Sequence, residues 1–244
     1  MLELMINGFE FTAVQSTEIS LLDIPQDFPA DATICTKKPR DHQLVPGLIE
    51  RDPLQWFISM VRDPRDIISS RHKLHPEVYW ANLRQWREWL DNTRPYRPHA
   101  RLIEVRYEQL VRAPDDVQAM LIRRLPFLRP ARPFSEFHRH ATPSEQSLTA
   151  MHELRPVNDA SVRRWKEHLP RVAGQISIHG SMADELIELG YEPDDRWLEA
   201  LHDVQPDTEP SHWPEVIPEA FATKDRARQR AKLEAYIKAR GLSE

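Results

Sequence analysis

The segment from Val61 to Ser70 contains the residues whose types and spacing are best suited to chemistry. An apolar run ends at Val61, and Asp63 followed by Pro64 is typical of a helix start with the aspartate as N-cap. Arg62 then lies where a strand passes into a helix, and its planar guanidinium can bind two phosphate oxygens at once. Ser70, seven residues after Asp63, returns to nearly the same side of the helix and can add a hydroxyl donor. The segment therefore predicts a site for a small anion.

Two interpretations of this segment are compatible with its spacing. In an open α/β sheet, ligands bind where strands end, and a helix N-terminus there presents free N–H groups to an anion. In the competing interpretation, Arg62 forms an ion pair with a carboxylate beside a capped helix that binds no ligand. Spacing alone does not separate the two.

The charge distribution favours a small ligand over a large one. The net charge is −5, which does not favour a polyanion such as duplex DNA, so we expect no nucleic-acid partner. The positive charge is local and surrounds the segment described above. The clustered basic residues are Lys37, Lys38, Arg40, Arg62, Arg65, Arg71 and Lys73.

Short apolar runs alternate with helical patterns along the chain. Runs at 32–36, 54–61 and 101–107 predict strands. Apolar residues at helical spacing predict helices at about 79–90, 114–125, 161–169 and 182–189. Ser161 is the expected N-cap of the third helix, and Gly190 is expected to end the fourth. The alternation predicts an α/β fold with a parallel sheet flanked by helices.

The character of the chain changes after Tyr191. A polar stretch interrupted by prolines leads into a charged segment with good helix formers at about 219–240. We therefore predict a domain at 1–191 and a C-terminal extension at 192–244 that ends in a charged helix. The extension is also a candidate surface for homo-oligomer formation.

The composition excludes several classes of protein. In 244 residues, 40% are hydrophobic, which is sufficient for a core, yet no window offers the roughly 18 uninterrupted apolar residues of a membrane helix. The N-terminus lacks the basic start and apolar stretch of a secretory signal. The single cysteine, Cys35, excludes an internal disulfide framework and a multi-cysteine metal site. We expect a soluble protein of the cytoplasm without a membrane span.

Several stretches resemble, in the same order, the sulfotransferases that use 3′-phosphoadenosine 5′-phosphosulfate. Arg-Asp-Pro-Arg-Asp-x-x-x-Ser, at 62–70, is similar to the family segment that holds the donor's 3′-phosphate. Residues 37–39, 105–110 and 161–166 are similar to the family's lysine–proline strand end, its Arg-Tyr-Glu-Asp-Leu-like strand and the late segment that closes over the nucleotide. With Leu189-Gly190-Tyr191, the likeness covers about 32–191 and implies a P-loop NTPase-like fold.

The resemblance implies roles for individual residues. Arg62 and Ser70 would bind the 3′-phosphate, and Tyr107 would lie near the adenosine. Lys37 would point toward the sulfuryl group. The residues that would close the site from the C-terminal side are Arg163, Arg164 or Lys166.

The implied reaction is an in-line transfer of the sulfuryl group to a hydroxyl or amine of a small-molecule or glycan acceptor, and it needs no metal. It requires a base, for which histidine is the usual residue because its pKa lies near neutral pH. His42, just after the lysine–proline turn, is the best-placed candidate, with His72 and His75 as alternatives. His138 and His140 have no carboxylate at ligand spacing, which favours surface positions over a metal site.

The sequence departs from the family pattern in one respect. The family has a glycine-containing loop that cradles the 5′-phosphosulfate, and neither a Gly-x-x-x-x-Gly-Lys-Ser nor an Arg-Ser-Gly-Thr version occurs here. Met1–Ile6 resembles the middle of a helix, so the sequence predicts an N-terminally shortened sulfotransferase. One alternative is a non-catalytic nucleotide-binding or interaction protein without the loop. Another is a small-molecule kinase, which is disfavoured because no Walker lysine loop is present.

Overall fold

A computed structural model describes residues 1–14, 18–24, 29, 31–71, 75–143, 148 and 153–242. Their contacts group the chain into two compact units. The first unit comprises 1–61, 92–159 and 222–244, and the second comprises 62–91 and 160–221. The C-terminal segment is thus shared, with 192–221 in the second unit and the remainder in the first.

The described part of the chain contains short strands that pair two by two. The strands are β1 (Phe9–Glu10), β2 (Ala13–Val14), β3 (Ile34–Cys35), β4 (Phe57–Val61), β5 (Leu102–Arg106) and β6 (Arg129–Pro130). β1 and β6 are antiparallel, whereas β2–β3 and β4–β5 are parallel. The α/β class and the parallel pairing are confirmed, with smaller sheets than the sequence predicts.

Helices account for most of the remaining secondary structure. The α-helices are α1 (Leu2–Gly8), α2 (Val45–Leu48), α3 (Pro64–Ile68), α4 (Leu83–Thr93), α5 (Tyr107–Arg112), α6 (Pro114–Arg124), α7 (Phe137–His140), α8 (Leu169–His179), α9 (Ala183–Glu188) and α10 (Glu219–Ala239). Short 3-10 helices occupy Leu21–Asp23, Pro39–Leu44, Arg94–Tyr96, Phe134–Glu136, Arg164–Glu167 and Arg196–Leu201. Among the described residues, no helix combines the length and the apolar character needed to cross a membrane.

Among the described strands, the β4–β5 pair forms the longest sheet of the first unit. Five residue pairs run from Phe57 opposite Leu102 to Val61 opposite Arg106, so the carboxyl ends of both strands are level. The inward residues of β5 belong to the main core of this unit, because Ile103 and Val105 are almost fully buried. The core is completed by buried apolar residues of α1, β1, α5, α6 and the segment after β6, which are Leu4, Met5, Phe9, Leu110, Val117, Leu121, Leu125, Leu128, Phe134, Phe137 and Ala141.

The C-terminal helix α10 forms as the sequence predicts, and its last turns pack within the first unit. Tyr236 and Ile237 are buried against Leu44 and Leu48. The Tyr236 hydroxyl donates to the buried Asp52 carboxylate over 3.1 Å. Burial and the neighbouring Asp52 raise the pKa of Tyr236 to about 12, so the phenol keeps its proton in the neutral pH range.

Arg171 of α8 organises the second unit. Its side chain is fully buried and donates to the carbonyls of Ile68 and Glu209 over 3.2 and 2.9 Å, and to the Ser211 hydroxyl over 2.6 Å. The segment around 207–211 is thereby held against α8. The backbone comes so close that a Cβ at Gly174 would lie 1.9 Å from the carbonyl oxygen of Asp207. A glycine is therefore required at this position of α8.

The prediction of a single helix capped by Ser161 is wrong. Arg163 has a left-handed backbone with φ of 63°, which interrupts a right-handed helix, and a 3-10 turn at Arg164–Glu167 follows. The α-helix begins only at Leu169, where Pro170 occupies a favourable first-turn position. The prediction for the next helix is confirmed at α9, and Gly190 follows it with φ of 70°.

We predict that Gly174→Ala lowers the free energy of unfolding by at least about 2 kcal/mol, because the new methyl group meets backbone that cannot rotate away. Gly47→Ala is the matched control, since its Cβ meets only the flexible end of Leu233 at 2.5 Å. The control should stay within about 1 kcal/mol of the unchanged protein, aided by the higher helix propensity of alanine. Denaturant titration followed by circular dichroism measures both, and equal losses in the two variants would contradict the close approach at Gly174.

Candidate functional site

The start of α3 is capped as predicted, but it does not offer free N–H groups to an anion. The Asp63 carboxylate accepts from the Arg65 N–H over 2.9 Å, and the Asp63 carbonyl accepts from Asp66 and Ile67 over 3.1 and 3.3 Å. Pro64 has no N–H. The helix has five residues, and each N–H of its first turn is already bonded within the segment. Any anion bound here must be held by side chains, which corrects the expectation from the sequence.

Arg65 is a structural residue of the second unit. Its guanidinium donates to both oxygens of Asp63, over 3.0 and 2.8 Å, and lies 2.6 Å from a carboxylate oxygen of Glu192. It also lies over the rings of Trp165 and Trp197, at 3.9 and 4.8 Å from their centroids. Only 2% of Arg65 is exposed. The two carboxylates and two indoles compensate for the cost of burying this cation.

Arg62 lies at the carboxyl end of β4 and is about one fifth exposed, with 22% of its side-chain surface accessible. Its Nη2 donates to the carbonyl of Ser161 over 2.7 Å and lies 4.0 Å from a carboxylate oxygen of Asp66. The Ser70 hydroxyl donates to the carbonyl of Asp66 over 2.7 Å. Arg62 and Ser70 thus both lie next to Asp66. The ion pair that the competing interpretation predicts is present between Arg62 and Asp66, with a long separation of 4.0 Å.

Asp66 links Arg62 and Ser70 to the turn at 161–166. Its carboxylate accepts from the backbone N–H groups of Arg163 and Trp165 over 2.8 and 2.9 Å. Only 2% of Asp66 is exposed. Burial raises the pKa of Asp66 above the usual aspartate value, while the hydrogen bonds from Trp165 and Arg163 and the charge of Arg62 oppose that rise.

The turn held by Asp66 carries three of the predicted site residues. Arg163, Arg164 and Lys166 are all exposed, while Trp165 between them is buried. Arg164 forms only a loose ion pair of 3.7 Å with the exposed Glu167. The structure thus gathers Arg62, Ser70 and this basic turn within the second unit. Exposed cationic side chains on a turn that bonds to a partly buried arginine are suited to charge-assisted hydrogen bonds with an anion.

The other predicted site residues belong to the first unit. The exposed Lys37 forms a salt bridge with Glu18. His42 lies in the 3-10 helix at Pro39–Leu44, with its Nδ1 3.2 Å from the Asn92 amide nitrogen. Tyr107 is the first residue of α5, directly after β5.

Of the two alternative histidines, the structure describes His75. The exposed His75 lies 3.3 Å from Glu77, and His72 lies outside the described residues. Within the described ranges, no group of three or more His, Cys, Asp or Glu side chains is arranged to hold a metal ion.

Sequence reasoning did not foresee the contacts that Asp66 makes. The partners of Asp66 lie 97 and 99 positions away, so no local pattern could have revealed them. The signal that was available is indirect, since a carboxylate that becomes buried needs hydrogen-bond donors.

Comparison with known proteins gives one result. Residues 11–127 match the model described as the sulfotransferase family. No curated protein and no solved structure gives a match. The matched range includes Lys37, His42, Arg62, Ser70 and Tyr107, and it ends before the turn at 161–166.

We predict that Asp63→Ala destabilises the second unit by about 3 kcal/mol, because it removes the helix cap and leaves the buried Arg65 without its two-oxygen partner. Asp63→Asn keeps a capping oxygen and should lose less. Asp203→Ala is the control, because that side chain is 95% exposed. Unfolding followed by tryptophan fluorescence measures these changes, and a loss below about 1 kcal/mol in Asp63→Ala would show that Arg65 does not depend on the pair.

Proposed function

We propose that the protein is a sulfotransferase that binds 3′-phosphoadenosine 5′-phosphosulfate and transfers its sulfuryl group to an acceptor hydroxyl or amine, and the match of residues 11–127 to the sulfotransferase family supports this proposal. The observation that supports the proposal most directly is the position of Arg62. This arginine directly follows a parallel strand, is partly exposed, and donates to the turn at 161–166, which carries three exposed cationic residues. We further propose that the small parallel sheets are part of a P-loop-like fold.

The chemistry of these side chains fits a phosphate group. Arg62 would supply the two-pronged donor, and the exposed Arg163, Arg164 and Lys166 would add charge-assisted hydrogen bonds from the turn. Ser70 would contribute a hydroxyl after exchanging its present bond to Asp66. The first-turn N–H groups of α3 are already bonded, so side chains alone would bind the phosphate here.

The donor supplies an activated sulfuryl group, and the transfer requires cations for the developing charge and a base for the acceptor. In the proposal, Lys37 stabilises charge at the sulfuryl group once it leaves Glu18, and His42 accepts the proton of the acceptor. Tyr107 lies beside the adenosine. The acceptor is a small molecule or a glycan that presents a hydroxyl or amine.

Binding and transfer are measured separately, because a glycine-rich loop for the 5′-phosphosulfate is not recognisable within residues 1–244. Such a loop supplies backbone donors, and losing even one of these donors in a catalytic site costs about 100-fold or more in rate. The 3′-phosphate contact is therefore the part of the proposal to measure first, with the product nucleotide adenosine 3′,5′-bisphosphate as the ligand.

We predict that Arg62→Ala weakens the binding of adenosine 3′,5′-bisphosphate by about 10- to 100-fold, because hydrogen bonds to charged groups contribute about 1.5–3 kcal/mol. Arg62→Lys should recover only part of this loss, since an ammonium cannot form the two-pronged contact. Binding of adenosine 5′-phosphate, which lacks the 3′-phosphate, should change little. Isothermal titration calorimetry measures all three.

Arg230→Ala is the matched control for these titrations, because its side chain is 81% exposed on α10. It should bind both nucleotides like the unchanged protein. Equal affinity of Arg62→Ala and the unchanged protein for the bisphosphate would reject the proposed function. Transfer is then tested separately, by following release of the bisphosphate from the sulfated donor with hydroxyl and amine acceptors.

A further inference from the structure

Arg62 and Asp66, four positions apart around the start of α3, both bind the turn at 161–166. Arg62 donates to the carbonyl of Ser161, and Asp66 accepts from the N–H groups of Arg163 and Trp165. The two side chains have opposite charges and bind opposite polar groups of the backbone. The turn is thereby fixed at three points within five residues.

We infer that Asp66 is a positioning residue for the donor's 3′-phosphate: it holds the basic turn at 161–166 beside Arg62 without touching the nucleotide itself. This inference rests on the proposed function, because it assigns Asp66 a part in the same site. The family resemblance implied roles for Arg62, Ser70 and the basic turn, and none for Asp66.

The conformation of the turn supports this role. Arg163 is the described non-glycine residue with a positive φ, and this left-handed conformation is unfavourable for an L-residue. The backbone keeps it because the Arg163 N–H is bonded to a carboxylate that is 98% removed from solvent. A charge-assisted bond of 2.8 Å to a buried acceptor is strong enough to compensate for that cost.

If only its charge is considered, Asp66 is expected to weaken anion binding, which is the opposite of a positioning role. A negative charge 4.0 Å from the Arg62 guanidinium weakens the attraction of Arg62 for a phosphate. If Asp66 acted only through its charge, neutralising it would tighten binding. If it acts by positioning the turn, neutralising it weakens binding. The sign of the change therefore separates the two roles.

The decisive variant is Asp66→Asn, in which the charge is lost and one of the two N–H acceptors is replaced by a donor. We expect its affinity for adenosine 3′,5′-bisphosphate to fall about tenfold, as for loss of a charge-assisted hydrogen bond, with less than about twofold change for adenosine 5′-phosphate. Asp66→Glu keeps the charge and displaces the oxygens, and we expect it to weaken bisphosphate binding as well. Asp203→Asn, at an exposed position, is the control.

Amide hydrogen exchange distinguishes positioning from a general loss of stability. Exchange at Arg163 and Trp165 should become faster in Asp66→Asn, while the amides of α8 keep their protection. Affinity for the bisphosphate that is unchanged or higher in Asp66→Asn would overturn the inference. Faster exchange throughout the second unit, with an equal loss for both nucleotides, would also overturn it.

Arg163 gives a second test in case the Asp66 variants do not fold. Arg163→Gly and Arg163→Ala both remove the cation, but only alanine disfavours the left-handed conformation. We expect Arg163→Ala to bind the bisphosphate about fivefold more weakly than Arg163→Gly, and equal affinities would overturn the inference.

The same titrations keep this inference separate from the proposed function. Weakened binding in Arg62→Ala, with no weakening in Asp66→Asn, rejects the positioning role alone. Unchanged binding in Arg62→Ala rejects the proposed function, and the positioning role with it.

Discussion

Charged side chains that are buried at the start of α3 constrain the rest of the second unit. Asp63, Arg65 and Asp66 are each less than 5% exposed, and an uncompensated charge at such positions is very unfavourable. Each is therefore matched by a specific partner. Asp63 faces Arg65, Arg65 also faces Glu192, and Asp66 receives the backbone N–H groups of the turn at 161–166. These pairings link segments that are about 100 residues or more apart along the chain. Arg171 follows the same rule in α8, where two carbonyls and a hydroxyl accept its hydrogen bonds and the Glu215 carboxylate lies 3.6 Å away.

These pairings also separate the buried basic residues from the exposed ones. Arg65 and Arg171 are enclosed by aromatic rings and acceptors, so they stabilise the unit and cannot reach a ligand. Arg163, Arg164 and Lys166 remain at the surface of the turn. Arg62 lies between these groups, since it is anchored on one side and partly exposed on the other. A sequence rich in arginine around 62–71 therefore presents fewer cations at its surface than its composition indicates.

Local signals in the sequence predicted local structure well. The apolar runs at β4 and β5, the Asp63–Pro64 helix start and the charged helix α10 depend on neighbouring residues, and each is present. One failure depends on a distant partner. The turn at Arg163 replaces the predicted helix because Asp66, 97 positions away, binds its N–H group. The expectation of free N–H groups at the start of α3 is wrong for a local reason, since Asp63 and its carbonyl accept from the first-turn donors. The grouping of Arg62, Ser70 and the turn followed from the family resemblance, whereas Asp66 at its centre required the structure.

The present bonds of Arg62 are of the kind that a phosphate can displace. Its acceptor at 2.7 Å is the neutral carbonyl of Ser161, and its carboxylate neighbour is 4.0 Å away. A phosphate offers two charged oxygens that the planar guanidinium can bind at once, so replacing the neutral carbonyl by a phosphate is favourable. Arg65 has no such exchange available, because its close partners are already carboxylates. Two arginines three positions apart in one motif thus differ in the charge of their close acceptors. In the proposed function, that difference, more than the number of cations, makes Arg62 the residue of this segment that binds the nucleotide.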